Sequence, residues 1–308
     1  MPAISVVIPL YNKRAYIGEA LDSVERQIFK DYEVIVVDDG STDGGAELVA
    51  KSGIAGLRLL SQPNRGVSAA RNRGISEAAA DWVAFLDADD IWNEGHLLHL
   101  WNLHSAYPEA ALLANDYSNS IAISDDGAQQ SASYRLTKNF IDEAARSTAW
   151  AFTSATMIRR DVAVATGGFA LDESRGEDID LWVRIALSYP IALSSYIGAI
   201  YRKIANSLTA TVSVVEPDVA MRGISRRLAD EPHLSLDSRR ALEELFNRLS
   251  LSHAADCLLQ GNKDAAARFL DGARRTRYWP LRWWILRVLW LFPSSLVRVL
   301  FRVRKMSE

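Results

Sequence analysis

The sequence lacks the residues on which several kinds of site depend. It has one cysteine, Cys257, and five histidines among 308 residues, so neither an intramolecular disulfide nor a thiolate metal site can form. A lone cysteine is typical of proteins from reducing compartments. No glycine-rich phosphate loop of either common type is present. This absence argues against kinases and dinucleotide-dependent dehydrogenases.

Long hydrophobic runs are also missing. The most apolar segment lies near the C-terminus, where Arg287 and Pro293 interrupt it well short of the roughly 20 residues that a membrane-spanning helix needs. The N-terminus leads directly into a β-branched run, with no basic region and no cleavage-like site, so we expect no signal peptide. These features predict a cytoplasmic protein.

The composition is that of a globular protein with a full-sized core, since 49% of residues are hydrophobic and 24% are charged. The charge is unevenly distributed. Residues 1–216 carry 18 Lys+Arg and 28 Asp+Glu, a net of −10, whereas residues 217–308 carry 17 and 10, a net of +7. We therefore expect two parts with different tasks, a catalytic domain at 1–216 and a helical region at 217–308.

Apolar patterning predicts alternating strands and helices in the first part. Strands are expected at about 4–10, 32–37, 57–61, from 82, and at 110–114, 154–158 and 197–202. Such alternation favours a Rossmann-like α/β fold with a mixed, mostly parallel sheet. Residues 118–136 are polar and predict an edge hairpin or a mobile loop. From Pro217 onward the pattern is helical, and one long helix is expected to end near Gly261.

An acidic run, Asp87-Ala88-Asp89-Asp90, follows the buried strand that begins at Trp82. Three carboxylates at one strand end repel one another, and a bound cation would remove the conflict. Asp-x-Asp offers oxygen ligands that suit Mg²⁺ or Mn²⁺ while the ion also bridges substrate phosphates. A solvated acidic turn that caps the next helix is the alternative. Polar residues end two neighbouring strands as well, which favours a ligand site at this rim.

Five sequence blocks, in order, resemble the family 2 glycosyltransferases, which have the GT-A fold and use nucleotide sugars. The blocks are VVIPLYN (6–12), VVDDGSTD (36–43), NRG (64–66) with ARNRGI (70–75), FLDADD (85–90), and GF (168–169) followed by GEDIDLWVR (176–184). The resemblance covers about residues 3–205. The remainder, after about Glu216, resembles nothing that we can name, and forms a C-terminal helical extension to the fold.

The resemblance implies a donor site. Tyr11 would stack on the nucleobase and Asp39 would accept its imide N–H, which favours a UDP-sugar. Arg71 would meet the diphosphate. Asp89 would bind a divalent metal, Mn²⁺ or Mg²⁺, with Asp87 near the ribose or a metal-bound water. The same resemblance adds nucleotide-sugar contacts at Pro9, Asn12, Asn64, Gly66 and Ala88.

The resemblance also implies the chemistry. Asp178, with Glu177 as the second candidate, would be the general base on the acceptor hydroxyl of an inverting reaction. Helix capping alone would also explain this acidic pair. The Gln-x-x-Arg-Trp signature of processive synthases does not occur, so transfer of a single sugar is expected. A saccharide or lipid-linked acceptor implies a role in cell-surface polysaccharide or glycolipid assembly. A nucleotidyltransferase of related fold and a catalytically silent scaffold are the alternatives.

The C-terminal segment differs in kind from the rest. Residues 274–305 hold nine Lys+Arg, four of the nine tryptophans and no acid. A basic, Trp-rich amphipathic segment is typical of helices that lie on anionic lipid. We therefore predict peripheral attachment to the inner face of the cytoplasmic membrane. The alternative is packing on the protein's own body or at an oligomer interface. No nucleic-acid partner is expected, and the oligomeric state is left open.

Overall fold

The computed structural model describes residues 1–119, 132–147, 151–171, 175–202, 204, 215–273 and 275–305. The chain divides into two compact units. The first comprises Met1–Phe140 and Trp150–Ser207, and the second comprises Ile141–Ala149 and Leu208–Glu308. The short segment after Phe140 thus belongs to the C-terminal unit, which the sequence pattern did not indicate. Most of the polar segment expected as a hairpin or loop, residues 120–131, lies outside the described residues. The functional division at residue 216 stays a prediction.

The first unit is built on a mixed sheet. Its strands are β1 (Ile4–Leu10), β2 (Tyr32–Asp38), β3 (Leu57–Ser61), β4 (Trp82–Phe85), β5 (Ile91–Trp92), β6 (Leu112–Ser118), β7 (Tyr134–Thr137), β8 (Thr156–Arg159) and β9 (Ile191–Ile200). The strand order is β3-β2-β1-β4-β8-β6-β9-β5, and β7 pairs with β9. The four strands from β3 to β4 are parallel, as are β6 and β9. The predicted α/β class with a mostly parallel sheet is confirmed.

Helices cover this sheet. In the described part of the first unit they are α1 (Arg14–Glu25), α2 (Gly45–Ala50), α3 (Val67–Glu77), α4 (His96–Ala106), α6 (Arg160–Ala165) and α7 (Glu177–Ala186), while α5 (Phe140–Arg146) begins at the boundary of the two units. Every residue of β1 is buried, because apolar layers cover both faces of the sheet. Helix α1 buries Ile17, Leu21 and Val24, at the helical spacing that the sequence predicts.

Three local predictions needed correction. The alanine-rich pattern predicts a helix over Val67–Ala80. Helix α3 ends at Glu77 instead, because the N–H groups of Ala79 and Ala80 donate to the side chains of Glu33 (2.7 Å) and Ser5 (3.1 Å) on the neighbouring strands. Strand β9 begins at Ile191, six residues earlier than expected at 197, because it pairs along β6. The sequence pattern predicts an apolar face of Ile179, Trp182, Val183 and Ala186 for α7. Trp182 and Val183 are buried as predicted, but Ile179 and Ala186 are not fully buried, and Asp180, Leu181 and Ile185 are.

The described part of the second unit is helical, as predicted. After α5 its helices are α8 (Val219–Asp230), α9 (Leu236–Gln260), α10 (Lys263–Gly272), α11 (Pro280–Leu289) and α12 (Ser294–Lys305). Helix α9 begins where Ser235 accepts from the N–H of Ser238 and ends at Gly261, whose φ of 88° favours glycine. The predicted end near Gly261 is confirmed. Among the described residues, no helix is both long enough and apolar enough to cross a bilayer.

One glycine sets how closely α3 approaches the sheet. A Cβ built on Gly74 would lie 2.8 Å from Val7 Cγ2 and closer still to Cγ1. Val7 is fully buried in β1, so it has no space in which to move aside. The contact fixes α3 against β1 and thereby places Arg71, one turn earlier on the same helix.

Gly74→Ala is therefore expected to lower the free energy of unfolding by about 1–3 kcal/mol, the usual cost of overpacking a core. Gly18→Ala is the matched control, because Gly18 is also helical and its Cβ would meet only Leu48 Cδ2 at 4.0 Å. The control should be stabilised by about 0.5–1 kcal/mol through the helix preference for alanine. Urea denaturation followed by circular dichroism measures both, and equal stability changes would contradict the close-packing argument.

Candidate active site at the rim of the sheet

The loop after β4 carries the acidic run, and its last carboxylate points inward. Asp90 is almost fully buried; it accepts from Ser154 Oγ (2.6 Å) and from the N–H of Arg202 (3.1 Å). Ser154 Oγ in turn accepts from the N–H of Asp87 at 3.1 Å. Burial, reinforced by the charge of Asp87, raises the pKa of Asp90 well above its usual range. Asp90 therefore fixes the loop to the protein interior through these hydrogen bonds.

Arg71 joins this loop to the start of α7. Its guanidinium lies 2.7 Å from Asp87 Oδ1 and 2.9 Å from Glu177 Oε1, over the ring of Phe169. Burial alone would lower the pKa of Arg71, but the two carboxylates outweigh burial and raise the pKa above the usual arginine value. Arg71 is thus a permanently charged bridge between two acids. Its contact with a diphosphate stays a prediction.

Asp89, like Asp87, is partly exposed, and it pairs with a lysine. Its Oδ2 lies 2.5 Å from Lys13 Nζ, and its backbone oxygen accepts from Arg202 Nε. No group of three or more His, Cys, Asp or Glu side chains able to enclose a metal occurs in the described ranges. Mg²⁺ sites often use only one or two carboxylates together with substrate phosphates. Asp89 fits such a site, in which a diphosphate would supply further oxygen ligands.

Asp39, at the end of β2, shapes a neighbouring turn. The buried carboxylate accepts from Gln62 Nε2 (2.8 Å), the N–H of Arg65 (2.9 Å) and the N–H of Gly66 (2.8 Å). A carboxylate has about four acceptor positions, and three are used here. One position on Oδ2 is left for a further donor. The predicted contact with a nucleobase imide is compatible with this count.

Asn12 joins the ends of β1 and β2. It has the one positive φ among the non-glycine residues that the structure describes, at 50°. Its Oδ1 accepts from the N–H of Thr42 (2.8 Å), and its own N–H donates to Ser41 Oγ (3.1 Å). Asparagine tolerates this left-handed conformation better than most residues. Tyr11, immediately before it, is 47% exposed and offers a ring at the rim.

Asp178 lies in the first turn of α7, which begins after Gly176 at a φ of 81°. Its Oδ2 accepts from Thr153 Oγ1 at 3.1 Å and its Oδ1 from the N–H of Ile179 at 2.7 Å. Burial and the adjacent charge of Glu177 raise the pKa of Asp178 to about 6, although Arg71 and the two hydrogen bonds act in the opposite direction. A carboxylate with such a pKa is suited to general-base chemistry near neutral pH.

The remaining predicted residues line the same edge. Pro9 pairs with Val37 near the end of β1, Ala88 is buried within the acidic loop, and Asn64 Oδ1 accepts from the N–H of Gly66 at 3.3 Å. The structure brings Arg71, Asp87 and Glu177 into direct contact, while Asp178 contacts Thr153 instead. The roles given to all of these residues stay predictions.

Sequence reasoning missed four residues that hold the site together, which are Lys13, Thr153, Ser154 and Arg202, and it did not show that Asp90 turns inward. Lys13 directly follows the recognised block at 6–12, so its position at the site could have been suspected. Thr153 and Ser154 come from a 3₁₀ turn (Thr153–Ala155) before β8, and nothing in the local sequence indicates that this turn reaches the rim.

The mixed α/β sheet with carboxylates at its rim is compatible with a nucleotide-sugar transferase fold, and comparison with known proteins identifies the family. Residues 5–166, more than half of the chain, match the family described as Glycosyl transferase family 2. The protein belongs to this family, as the motif resemblance predicts.

Relatives of known name match over the N-terminal part. The chain is 35% identical over 117 residues to the glycosyltransferase GlyA of Streptococcus pneumoniae serotype 4. The aligned region covers 37% of this chain and 17% of that protein. It is 43% identical over 100 residues to the amylovoran biosynthesis glycosyltransferase AmsB of Erwinia amylovora, which spans 31% and 33%. The chain thus spans at most about a third of these relatives' lengths.

Solved structures share the fold over almost the whole chain. S. aureus TarS in complex with UDP-GlcNAc superposes with a TM-score of 0.70 at 18% identity, covering 97% of this chain and 91% of that one. The mannosyltransferase PcManGT from Pyrobaculum calidifontis, in complex with GDP-Man and Mn²⁺, gives 0.57 at 18% identity, covering 97% and 87%. At such identities the likeness shows the fold alone, and the predicted GT-A fold is confirmed.

The raised pKa of Asp178 can be tested without an activity assay. The side-chain carboxyl ¹³C resonance of Asp178, assigned by its loss in Asp178→Asn, should titrate with a midpoint near pH 6. The Thr153 hydrogen bond stabilises the ionised form, so Thr153→Val should raise the midpoint by roughly 0.5–1 pH unit. Thr166→Val removes a hydroxyl that donates to the backbone oxygen of Val162 in α6, and this control should leave the midpoint unchanged. A midpoint at the ordinary aspartate value would contradict the assignment.

Proposed function

We propose that this protein is an inverting glycosyltransferase that moves one sugar from a nucleoside-diphosphate sugar to an acceptor hydroxyl. One observation carries the proposal. The parallel neighbours β1, β2 and β4 are followed at their carboxyl ends by Tyr11, Asp39 and Asp89, and Arg71 connects the loop after β4 to Glu177, next to Asp178. This edge of the sheet is where ligands bind in open α/β sheets. The family relatives, which are named as glycosyltransferases, support the same function.

The donor half of the site lies at the ends of β1 and β2. In the proposal Tyr11 stacks on the base, and the open acceptor position of Asp39 receives its imide N–H. A UDP-sugar is favoured, which the UDP-GlcNAc complex of TarS supports. Arg71 and Asp87 then lie where the ribose and diphosphate would reach the acidic loop. Arg71 cannot lose its charge, so it would stabilise phosphate oxygens at any physiological pH.

The reacting half of the site centres on Asp178. Arg71 pairs with Glu177 at 2.9 Å, whereas Asp178 accepts, among the described residues, from a hydroxyl and a backbone N–H. This difference favours Asp178 as the general base. The base would take the proton from the acceptor hydroxyl as its oxygen attacks the anomeric carbon, and a single in-line displacement inverts that centre. A divalent ion held by Asp89 would neutralise charge on the departing diphosphate. The Mn²⁺ complex of PcManGT supports this assignment.

The two alternatives are less well supported. A catalytically silent scaffold has no need for a general base, yet the pKa of Asp178 is raised to about 6, which suits one. A nucleotidyltransferase would usually carry a glycine-rich basic loop near its N-terminus, and the segment Pro9-Leu10-Tyr11-Asn12 is not such a loop. The acceptor is proposed to be a saccharide or a lipid-linked saccharide of cell-surface polymers, a role supported by the amylovoran relative.

The direct test is to incubate the protein with a panel of UDP- and GDP-sugars and Mn²⁺. Hydrolysis is measured as release of the nucleoside diphosphate. One donor should be turned over, and Asp89→Asn should reduce that rate by at least about 10²-fold, since it removes the only carboxylate proposed to bind the ion. Asp81→Asn, at the opposite end of β4, is the matched control and should keep the parent rate. Turnover that survives both EDTA and the Asp89 substitution would refute a metal-dependent transferase.

We further infer that the last two helices bind an anionic membrane surface. Leu286 and Val297 are buried, and three of the four tryptophans hydrogen-bond within the second unit: Trp279 to Ala145 O, Trp283 to Leu270 O and Trp290 to Lys263 O. The segment therefore packs on its own unit through one side. The other side is apolar and exposed, with Leu281, Trp284, Ile285, Val288, Leu291, Phe292, Leu296, Val299 and Leu300.

We call these nine residues the apolar face of α11 and α12. Exposed patches of this extent mark interaction sites rather than ordinary surface. Arg275, Arg277 and Arg298 are also exposed in this segment, and the sequence has no acid between 274 and 305. Apolar residues flanked by positive charge complement the anionic headgroup region of a bilayer. Trp279, Trp283 and Trp290 lie on the side that packs on the second unit. Trp284 lies on the other side and is 61% exposed.

Replacing Leu281, Trp284 and Val288 together by Gln should reduce binding to vesicles of anionic phospholipid at least about tenfold, because three apolar side chains no longer enter the bilayer. Leu236→Gln is the control, since Leu236 and Leu281 are both 72% exposed in the same unit. Co-sedimentation of the full chain measures binding, which should also fall as salt rises. If the parent protein does not bind the vesicles and instead forms oligomers that the triple variant does not form, the apolar face is a protein interface.

A further inference from the structure

Lys13 makes an ion pair that the proposed chemistry does not use. Its Nζ lies 2.5 Å from Asp89 Oδ2, and both side chains are partly exposed, by 23% and 19%. Among the described residues, Lys13 is the one cation within ion-pairing distance of this carboxylate. Arg202, the other nearby cation, donates instead to the backbone oxygen of Asp89 and to the carboxylate of Glu19. Lys13 is therefore the counter-ion of the acid proposed to bind metal.

The backbone around Lys13 is held in place from both sides. Asn12, before it, is fixed in its left-handed conformation by the loop after β2. Arg14, after it, begins α1 and donates its N–H to Asp43 Oδ2 at 2.8 Å. The lysine side chain, in contrast, is a flexible four-carbon stem. Its ammonium can leave Asp89 while the backbone stays where it is.

The other two acids of the loop have different partners. Asp87 is paired with buried Arg71 at 2.7 Å. Asp90 is buried and accepts from a hydroxyl and a backbone N–H within the chain. Asp89 alone depends on a mobile cation. An ammonium 2.5 Å from Oδ2 occupies the space in which a divalent ion would coordinate that oxygen, and the two positive charges repel each other.

We propose that Lys13 is a resident counter-cation that a divalent metal must displace from Asp89. The inference rests on the proposed function, because it takes Asp89 as the metal ligand. In the empty site the ammonium opposes entry of the metal. When a nucleoside diphosphate is present, the displaced ammonium gains phosphate oxygens as new partners, so the displacement costs less. Metal and nucleotide binding are then positively coupled, and by reciprocity each strengthens the other.

This arrangement has a functional consequence for a metal-dependent transferase. A site that bound divalent ions tightly on its own would hold them whether or not a donor was present. With Lys13 on Asp89, the ion arrives with the nucleotide and leaves with the released diphosphate. Lys13 is thus a positioning residue for the metal rather than a catalytic residue, and its effect is visible in binding measurements without turnover.

The experiment is a titration of Mn²⁺ monitored by electron paramagnetic resonance, with and without UDP, on the full chain. Lys13→Gln should tighten Mn²⁺ binding without UDP by about three- to tenfold and should reduce the enhancement by UDP by a similar factor. Lys30→Gln is the matched control, because it removes the same charge from an exposed lysine whose Nζ donates to a backbone oxygen. It should behave like the parent protein.

The outcomes separate this inference from the proposed function. Equal Mn²⁺ affinity in the parent and Lys13→Gln, with binding lost in Asp89→Asn, would overturn the role of Lys13 and leave the metal site intact. No enhancement by UDP in any variant, or Mn²⁺ binding that survives Asp89→Asn, would instead contradict the proposed donor site. Circular dichroism of each variant verifies that the fold is retained.

Discussion

The buried guanidinium of Arg71 is the interaction on which the site depends. It is placed by the close contact of Gly74 with Val7, and it connects Asp87 on the β4 loop to Glu177 at the start of α7. Removing one partner from a buried ion pair leaves an uncompensated charge, at a cost of about 3–5 kcal/mol. The two acids that it joins come from segments about 90 residues apart, 87 and 177. Their relative position therefore depends on contacts between distant segments, namely Arg71 and the adjacent pair Thr153 and Ser154, rather than on local chain geometry.

The same bridge separates the roles of two adjacent acids. Glu177 is neutralised by Arg71, whereas Asp178 keeps a raised pKa because burial and the charge of Glu177 both disfavour its ionised form. Neighbouring carboxylates with different environments are a recurring way to obtain an acid or base near neutral pH. Here the difference arises because Glu177 contacts the guanidinium of Arg71, whereas Asp178 contacts Thr153.

Much of the fold could be predicted from sequence because its strongest elements are locally specified. The buried β-branched runs of β1 and β2, and the end of α9 at Gly261, are readable from patterns of a few residues. The orientation of the acidic loop after β4 could not be predicted in this way. Asp90 turns inward because Ser154 and Arg202 bond to it from 64 and 112 residues away. The partnership of Lys13 with Asp89 spans 76 residues and likewise has no local signature. The two-residue strand β5 is too short to show any periodicity.

The single open acceptor position on Asp39 bears on the choice of base. The other three positions are occupied by donors from the chain itself, so the side chain has one lone pair left to offer to a ligand. Uracil and guanine each present a ring N–H that such a lone pair can accept. Cytosine and adenine present a ring nitrogen lone pair at the corresponding edge, and two facing lone pairs repel. On the proposed function, this lone pair would favour uridine or guanosine nucleotides over cytidine and adenosine nucleotides, which offer only an exocyclic amino N–H beside a repelling ring nitrogen.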